Sequence, residues 1–384
     1  MSFWIQHGHG KADKLDRLAT EGAAGVILSA NAESRESLAA TVRAIRARDM
    51  NVMLDPQTYI YSVHDTQARN HPSHGLAFKF IDVGADPIEM EAQAQAVLEA
   101  NVEVGLSALA IGPTVLQRDL DGPWSTMALQ YGRVFVRHAH AHGIRPYMAV
   151  AVTEDALSDW GAARSWLNRV TAIDAEGIYL SVDRNATVGY PSVWQADALT
   201  NLLSICYRLA RTNYIPLIVG YSDIDSLGVI AAGATAMASG WHYGQRYLRV
   251  TNFIPRGGGS VPVPKFTMRR LLSVVRANGE ADLIARDPNL FESFADTSER
   301  ADALSGLRTV SQAQLQHLST LCRLVLSLES HTVASRPKEY ESLLSHALRL
   351  TGPLVRSGLL ARSYEASLEV QLRAARAFRA REGV

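Results

Sequence analysis

Three carboxylic acids close short apolar runs in this chain: Asp55 ends NVMLD, Glu154 follows RPYMAVAVT, and Asp183 follows GIYLSV. Carboxyl groups placed at the ends of separate strands point into one mouth, where burial and mutual repulsion pull their proton affinities apart and leave one acid and one base. An Asp after a strand also commonly caps the next helix. Asp55 resists that reading because Pro56 and a long connection follow it, so it ranks first as a catalytic group and Asp183 second, with Glu154 the third candidate. Other polar residues stand at the ends of the same runs and would bind and orient a substrate: His7, His9, Gln57, Arg184, Tyr221, Asp223, Trp241 and His242.

The strongest charge feature comes late. Between Gly240 and Arg276 stand Arg246, Arg249, Arg256, Lys265, Arg269, Arg270 and Arg276, with no Asp or Glu among them, beside Trp241, Tyr243, Tyr247 and the run Gly257-Gly258-Gly259. Cations, aromatic faces and flexible backbone are what phosphate contacts and stacking require. The segment therefore predicts a phosphorylated small molecule or nucleic acid as partner, with Arg246 and Arg256 as substrate-binding residues and the glycine run closing over the phosphate. His64, His71 and His74 in the long third connection are further candidates, carried on a lid.

The tripeptide His7-Gly8-His9 resembles the HxH of metal-dependent amidohydrolase barrels, where the two imidazoles hold a catalytic ion. That resemblance implies a divalent metal shared with Asp55 or Asp183. Those enzymes also take histidines from later strands, where this chain offers Thr153, Glu154 and Asp183, so His7 and His9 are read as hydrogen-bonding groups and metal as the alternative. The passage PLIVGYSDIDSLGVIAAGATAMASGWHYGQR is similar in length and glycine placement to the late strand–helix–strand of tRNA-guanine transglycosylases. The family's nucleophilic aspartate falls at Ala238 or Ser239, and its three-cysteine zinc motif is missing, so the resemblance implies the scaffold alone.

What must position these residues is a series of β-strands. Eight apolar runs recur, at 3–7, 25–30, 51–55, 108–112, 145–152, 177–182, 215–220 and 234–239, each followed by a helical pattern. Their near-continuous apolar character fits strands covered on both faces, and βα alternation makes a parallel sheet. Leu38, Val42 and Ile45 share one helical face, as do Leu202, Ile205 and Leu209. Eight units in succession predict a closed (β/α)8 TIM barrel over 1–278, with its site at the C-terminal ends of the strands. No GxGxxG or Walker A sequence marks an open nucleotide-binding sheet. A helix is expected near 266–277, a mixed connecting segment over 279–310, and a helical C-terminal segment over 311–384 whose stripe Leu315, Leu318, Cys322, Val325 docks on the barrel, on a protein partner or on another copy of the chain.

The 384 residues are 47% hydrophobic with 38 basic against 38 acidic side chains, so net charge by itself demands neither nucleic acid nor a membrane surface. Cys206 and Cys322 lie in apolar helical patterns and read as small buried hydrophobes. His138, His140 and His142 close a helix whose C-terminus favours cations. No signal peptide or bilayer-spanning run is legible, which predicts a cytoplasmic protein. The function these residues point to is an enzyme on a nucleotide-like or phosphorylated substrate, a hydrolase or a glycosyl transferase. The alternative is a non-catalytic barrel that binds nucleic acid or a protein through 240–276 and its helical tail.

Overall fold

The structure, a computed structural model, describes residues 2–8, 14–31, 33–62, 86–184, 191–253, 263–294 and 309–384, without the side chains of 62, 293 and 294. Its centre is a curled parallel sheet. The strands are β1 (Phe3–His7), β2 (Gly25–Ser29), β3 (Asn51–Asp55), β4 (Leu109–Ile111), a two-residue β5 (Leu116–Gln117), β6 (Arg145–Thr153), β7 (Gly177–Asp183), β8 (Leu217–Val219) and β9 (Ala236–Gly240). Eight of them follow the order β3-β2-β1-β9-β8-β7-β6-β4, and β5 lies beside β6. Register is set by alternation: Phe3 and Ile5 face the helices while Trp4 faces inward, and Val26 and Leu28 alternate likewise with Ile27. A slip of one residue would turn every strand inside out.

Helices cover the outer face: α1 (Leu15–Thr20), α2 (Arg35–Arg46), α3 (Pro87–Glu103), α4 (Pro123–Ala141), α5 (Trp160–Val170), α6 (Ala196–Tyr207) and the short α7 (Gly228–Ala231). Local sequence sets where they start. Ser34 and Asp86 accept hydrogen bonds from the first-turn amides of Ser37 and Glu89, and Pro87 and Pro123 occupy the first helical turn, where a missing N–H does no harm. The predicted faces Leu38, Val42, Ile45 and Leu202, Ile205, Leu209 are buried against the sheet.

Trp4, Ile27, Met53, Ile111, Ala149, Tyr179, Ile218, Ala236 and Ala238 form one apolar cluster on the inner face, with a side chain from each of the eight strands. Strands β3 and β4, at the two ends of the strand order, lie close to each other. Just beyond their C-terminal ends, Thr58 Oγ1 donates to the carbonyl of Thr114 at 2.7 Å and accepts from the Thr114 amide at 2.8 Å. Both residues are buried. Thr58→Val keeps the shape but leaves a buried N–H and C=O unpaired, and should lower stability by about 1–3 kcal/mol. A denaturant midpoint within error of the parent's would show that this stitch does not hold the two strand ends together.

After β9 the chain departs from expectation. In place of a helix near 266–277 it makes an antiparallel hairpin, β10 (Lys265–Met268) and β11 (Ser273–Arg276). The β-branched Thr267, Val274 and Val275 favour strand, and the turn between is closed by the Leu272 amide on the Arg269 carbonyl, with Leu272 at φ 45. Phe266, Met268, Leu271 and Val275 then build a second small core with Ile284, Phe291, Leu354 and Tyr364, a contact that helical periodicity does not reveal. Short helices α8 (Asp282–Ala285) and α9 (Pro288–Phe294) follow.

The C-terminal helices are α10 (Val310–Glu329), α11 (Arg336–Arg356) and α12 (Arg362–Glu382). Thr309 and Gln312 form a reciprocal capping box that starts α10. Its stripe Leu318, Leu321, Cys322 and Val325 belongs to the same core as Leu15, Leu18 and the outer faces of the strands, so the tail docks on the sheet of its own chain. Of the basic edge of α12, Arg376 and Arg379 both pair with Glu341, and Arg381 donates to Asn201 on α6. Both cysteines are buried. Among the described residues no helix is long and apolar enough to cross a membrane.

Candidate functional site

Asp55 ends β3 on the inner face, fully buried, one layer above the apolar cluster. Three phenols converge on its Oδ2: Tyr59 from the turn after β3 at 2.9 Å, Tyr179 from β7 at 3.1 Å and Tyr221 from the end of β8 at 3.4 Å. The Gln57 amide donates to Oδ1 at 2.9 Å. Burial pushes the carboxyl up to about 6 against the pull of these donors. Burial beside the Asp55 charge also raises all three phenols, which therefore stay protonated as donors.

The backbone around Asp55 is as unusual as the side chains. Gln57 and Tyr221 both lie in the left-handed region, at φ 54 and 50, and Gln57 Nε2 donates to the Tyr221 hydroxyl at 2.6 Å. Non-glycine residues held there store strain that the surrounding contacts must offset. Gly220 is required too, because a Cβ on it would collide with the Tyr179 hydroxyl. The network extends to Asn31, whose amide nitrogen donates to Gln57 Oε1 at 3.2 Å and whose oxygen accepts from Tyr61 at 3.0 Å. Gln6 Oε1 lies 3.1 Å from the Tyr179 hydroxyl, whose one proton is shared between it and Asp55, while Gln6 Nε2 is buried without a hydrogen-bond partner among the described residues.

The remaining predicted residues fall into separate neighbourhoods. Arg184, just past β7, is buried between Asp225 at 2.6 Å and Glu154 at 3.7 Å, and its guanidinium lies 3.9 Å from the centroid of the Trp194 ring. Glu154 also accepts from the Gln195 amide at 2.6 Å, at the start of α6. Burial raises the pKa of Glu154 and Asp225 against the attraction of Arg184. Asp183 accepts from the Val250 amide at 3.1 Å, and burial pushes it up to about 6, opposed by that hydrogen bond and by Arg249 and Arg118.

Asp223 joins the tail to the sheet. Its Oδ1 lies 3.2 Å from Nε2 of His317 on α10, and Thr267 Oγ1 is 2.8 Å from the other ring nitrogen. Burial and the Arg246 charge hold His317 below the usual imidazole range, so the ring is neutral, its Nε2–H facing Asp223 and Nδ1 accepting from Thr267. Asp223 stays ionised, its pKa lowered despite burial by the N–H of the neutral His317 ring and by the Arg246 charge. Gln316 fixes the same contact, accepting from the Thr267 amide at 3.0 Å and donating to its carbonyl at 2.8 Å. Removing the ring in His317→Ala leaves a cavity and orphans Asp223, for an expected loss of about 2–3 kcal/mol. Limited proteolysis should then cut α10 faster; an unchanged rate and midpoint would mean the pair does not anchor the tail.

At β1, His7 Nδ1 accepts from the Trp241 indole at 3.2 Å, and Nε2 faces Glu33 at 3.8 Å. An indole only donates, so Nδ1 is the acceptor of this contact. His242 contacts Gln314 at 3.1 Å, and buried Arg246 holds the chain after β9 by donating to the carbonyls of Gly240 and Trp241 at 3.0 and 2.9 Å. Among the described residues no group of three or more His, Cys, Asp or Glu side chains could hold a metal. His9, Arg256, the glycine run and His64, His71 and His74 lie outside the described residues.

The fold thus joins Asp55, Gln57 and Tyr221 with Asn31, a polar residue at the end of the second apolar run, and it adds Tyr59, Tyr179, Gln6 and Tyr61, which sequence reasoning missed as site residues. Tyr59 and Tyr61 were marked only by nearness to Asp55, and Tyr179 reads in sequence as an ordinary core aromatic. No protein-family model matches this chain, and no curated protein matches it either.

Proposed function

We propose that the sheet closes between β3 and β4 as a (β/α)8 barrel, and that the chain is an enzyme moving a proton through Asp55 on a nucleotide-like or phosphorylated substrate at the C-terminal mouth. Closure is supported by the Thr58–Thr114 stitch and by an inner cluster drawn from all eight strands. The observation that carries the reading is the Asp55 constellation: a buried carboxyl raised to about 6 under three phenols, flanked by left-handed Gln57 and Tyr221. An apolar core gains no stability from such a group, and perturbed carboxyls beside backbone strain concentrate where chemistry is done. Proton transfer of this kind serves hydrolysis or glycosyl transfer alike, the carboxyl giving its proton to a leaving group or taking one from the attacking nucleophile.

The competing reading, a non-catalytic barrel binding nucleic acid or a protein, loses part of its support. Arg246 is engaged by backbone carbonyls, and the α10 stripe is buried within the chain's own core. The test is a panel of nucleosides, nucleotides and sugar phosphates incubated with the protein and with Asp55→Asn, with products read by mass spectrometry. Turnover by the parent alone supports the proposal. No turnover of any member, joined with salt-sensitive binding to nucleic acid, would favour the competing reading.

A further inference from the structure

Asp55 is shut in. Its Oδ1 receives the Gln57 amide, its Oδ2 is covered by the phenols, and the residue is 0% exposed. A carboxyl so enclosed reaches a substrate only through one of the groups around it, and the hydrogen bonds single one out. Gln57 Oε1 accepts from the Asn31 backbone amide at 3.3 Å and from its side-chain nitrogen at 3.2 Å. A backbone N–H can only donate, so the other end of the Gln57 amide is fixed as nitrogen, and it donates to the Tyr221 oxygen at 2.6 Å. The Tyr221 proton must therefore point elsewhere.

A hydroxyl carries one proton and two lone pairs. With Asp55 ionised, Tyr59 donates to Oδ2 at 2.9 Å, and Tyr221, 3.0 Å from the Tyr59 oxygen but 3.4 Å from Oδ2, donates to Tyr59. The chain then runs one way, from Gln57 through Tyr221 and Tyr59 to Asp55. A proton on Oδ2 turns it around. Asp55 donates to Tyr59, Tyr59 to Tyr221, and Tyr221, its lone pairs taken by Gln57 and Tyr59, donates to an acceptor outside the group. Tyr179 offers no such exit: beyond Asp55 its hydroxyl meets Gln6 Oε1 at 3.1 Å, an acceptor with no proton to pass on. Tyr221, at the end of β8, keeps 5% of its surface, more than Asp55, Tyr59 or Tyr179.

We infer that Tyr221 is the group in touch with substrate and that Tyr59 relays the proton between it and Asp55. The inference rests on the reading of Asp55 as the chemical centre and names the path its proton takes. In the acid step the Asp55 proton passes to the Tyr59 oxygen, the Tyr59 proton to the Tyr221 oxygen, and the Tyr221 proton to the leaving-group oxygen, which keeps the electron pair of the breaking bond. A water or acceptor hydroxyl replaces the leaving group and releases a proton, which returns to the carboxylate along the same chain. Both phenols stay neutral throughout, as burial beside Asp55 favours. Hydrogen bonds in series, away from water, polarise one another and suit such a transfer.

The test needs no substrate. In the full chain with tyrosines isotopically labelled at Cζ, NMR in mixed light and heavy water reads the solvent exchange of each hydroxyl proton. In the parent the Tyr221 hydroxyl should exchange fastest of the three phenols, then Tyr59, with Tyr179 slowest. In Tyr221→Phe the Tyr59 hydroxyl should exchange slower by about tenfold or more, because its way out is cut. A merely structural role for Tyr221 predicts the opposite sign, since a lost hydrogen bond eases local opening and speeds exchange. A Tyr59 rate unchanged or raised in Tyr221→Phe, or Tyr179 exchanging as fast as Tyr221 in the parent, would overturn the inference. On any member of the panel that the parent turns over, Tyr221→Phe should lower turnover by about a hundredfold. Exchange indifferent to Tyr221 together with lost turnover in Asp55→Asn refutes the relay alone. The expected exchange with unchanged turnover in Asp55→Asn refutes the chemistry at Asp55 while the proton path stands.

Discussion

Asp55→Asn should lower turnover by about a thousandfold, the scale of a lost general acid or base, and should also make the protein more stable at neutral pH. The second effect follows from the raised carboxyl. In the folded chain Asp55 keeps its proton up to pH about 6, whereas the ordinary value is 3.8. Between those values the folded state binds more protons than the unfolded state, so parental stability falls as pH rises from about 4 to 6 and then levels off. A tenfold change in proton affinity corresponds to about 1.4 kcal/mol, so the variant's advantage should grow to at most roughly 3 kcal/mol across that window. The difference between the two proteins isolates Asp55 from Asp183, which titrates alongside it. Urea midpoints measured from pH 4 to 8 check the point. A variant that is less stable than the parent at pH 7 would mean that the phenols hold the charged form after all, and that Asp55 is a structural anchor.

Arg184→Met is expected to give the largest loss of stability. The guanidinium is buried between Asp225 and Glu154, and also donates to Ser192 at 3.2 Å. Methionine fills much of the volume but leaves two buried carboxyls without their cation, and breaking such a pair costs about 4 kcal/mol. The loss should shrink in acid, since burial already raises both carboxyls and protonation removes the stranded charge. Combining Arg184→Met with Glu154→Gln and Asp225→Asn should recover a large part of it, because the penalty lies in the unpaired charges. If Arg184→Met unfolded at the parent's denaturant midpoint, the group would carry a free cation at the mouth, available to a substrate.

Asp55 and Arg184 both end apolar runs and by sequence belong to one mouth, yet the structure gives them different partners. The strand ends were legible because a parallel strand buried on both faces must be a nearly unbroken apolar run, and the first polar residue after it must lie at the rim. The candidates Asp55, Gln57 and Tyr221 come from that rule, and they do meet. Asp223 obeys the rule too, yet its partner His317 comes from a helix far along the chain, and no local spacing forecasts the pair.

What the sequence determined by itself was the periodicity: eight apolar runs, the helical faces between them and the helical tail. Side-chain alternation and local hydrogen bonding act within a few residues, so they can be read along the chain. Tertiary structure alone decided which polar groups touch. Tyr179 is an apolar-looking strand residue until curling of the sheet brings its hydroxyl over Gly220 to Asp55, and KFTMRRLLSVVR has helical spacing until Phe266 and Val275 find their partners in the second core. Burial has the same origin: the chain encodes a carboxyl, but only the packed layer around it removes the water and raises Asp55 to about 6.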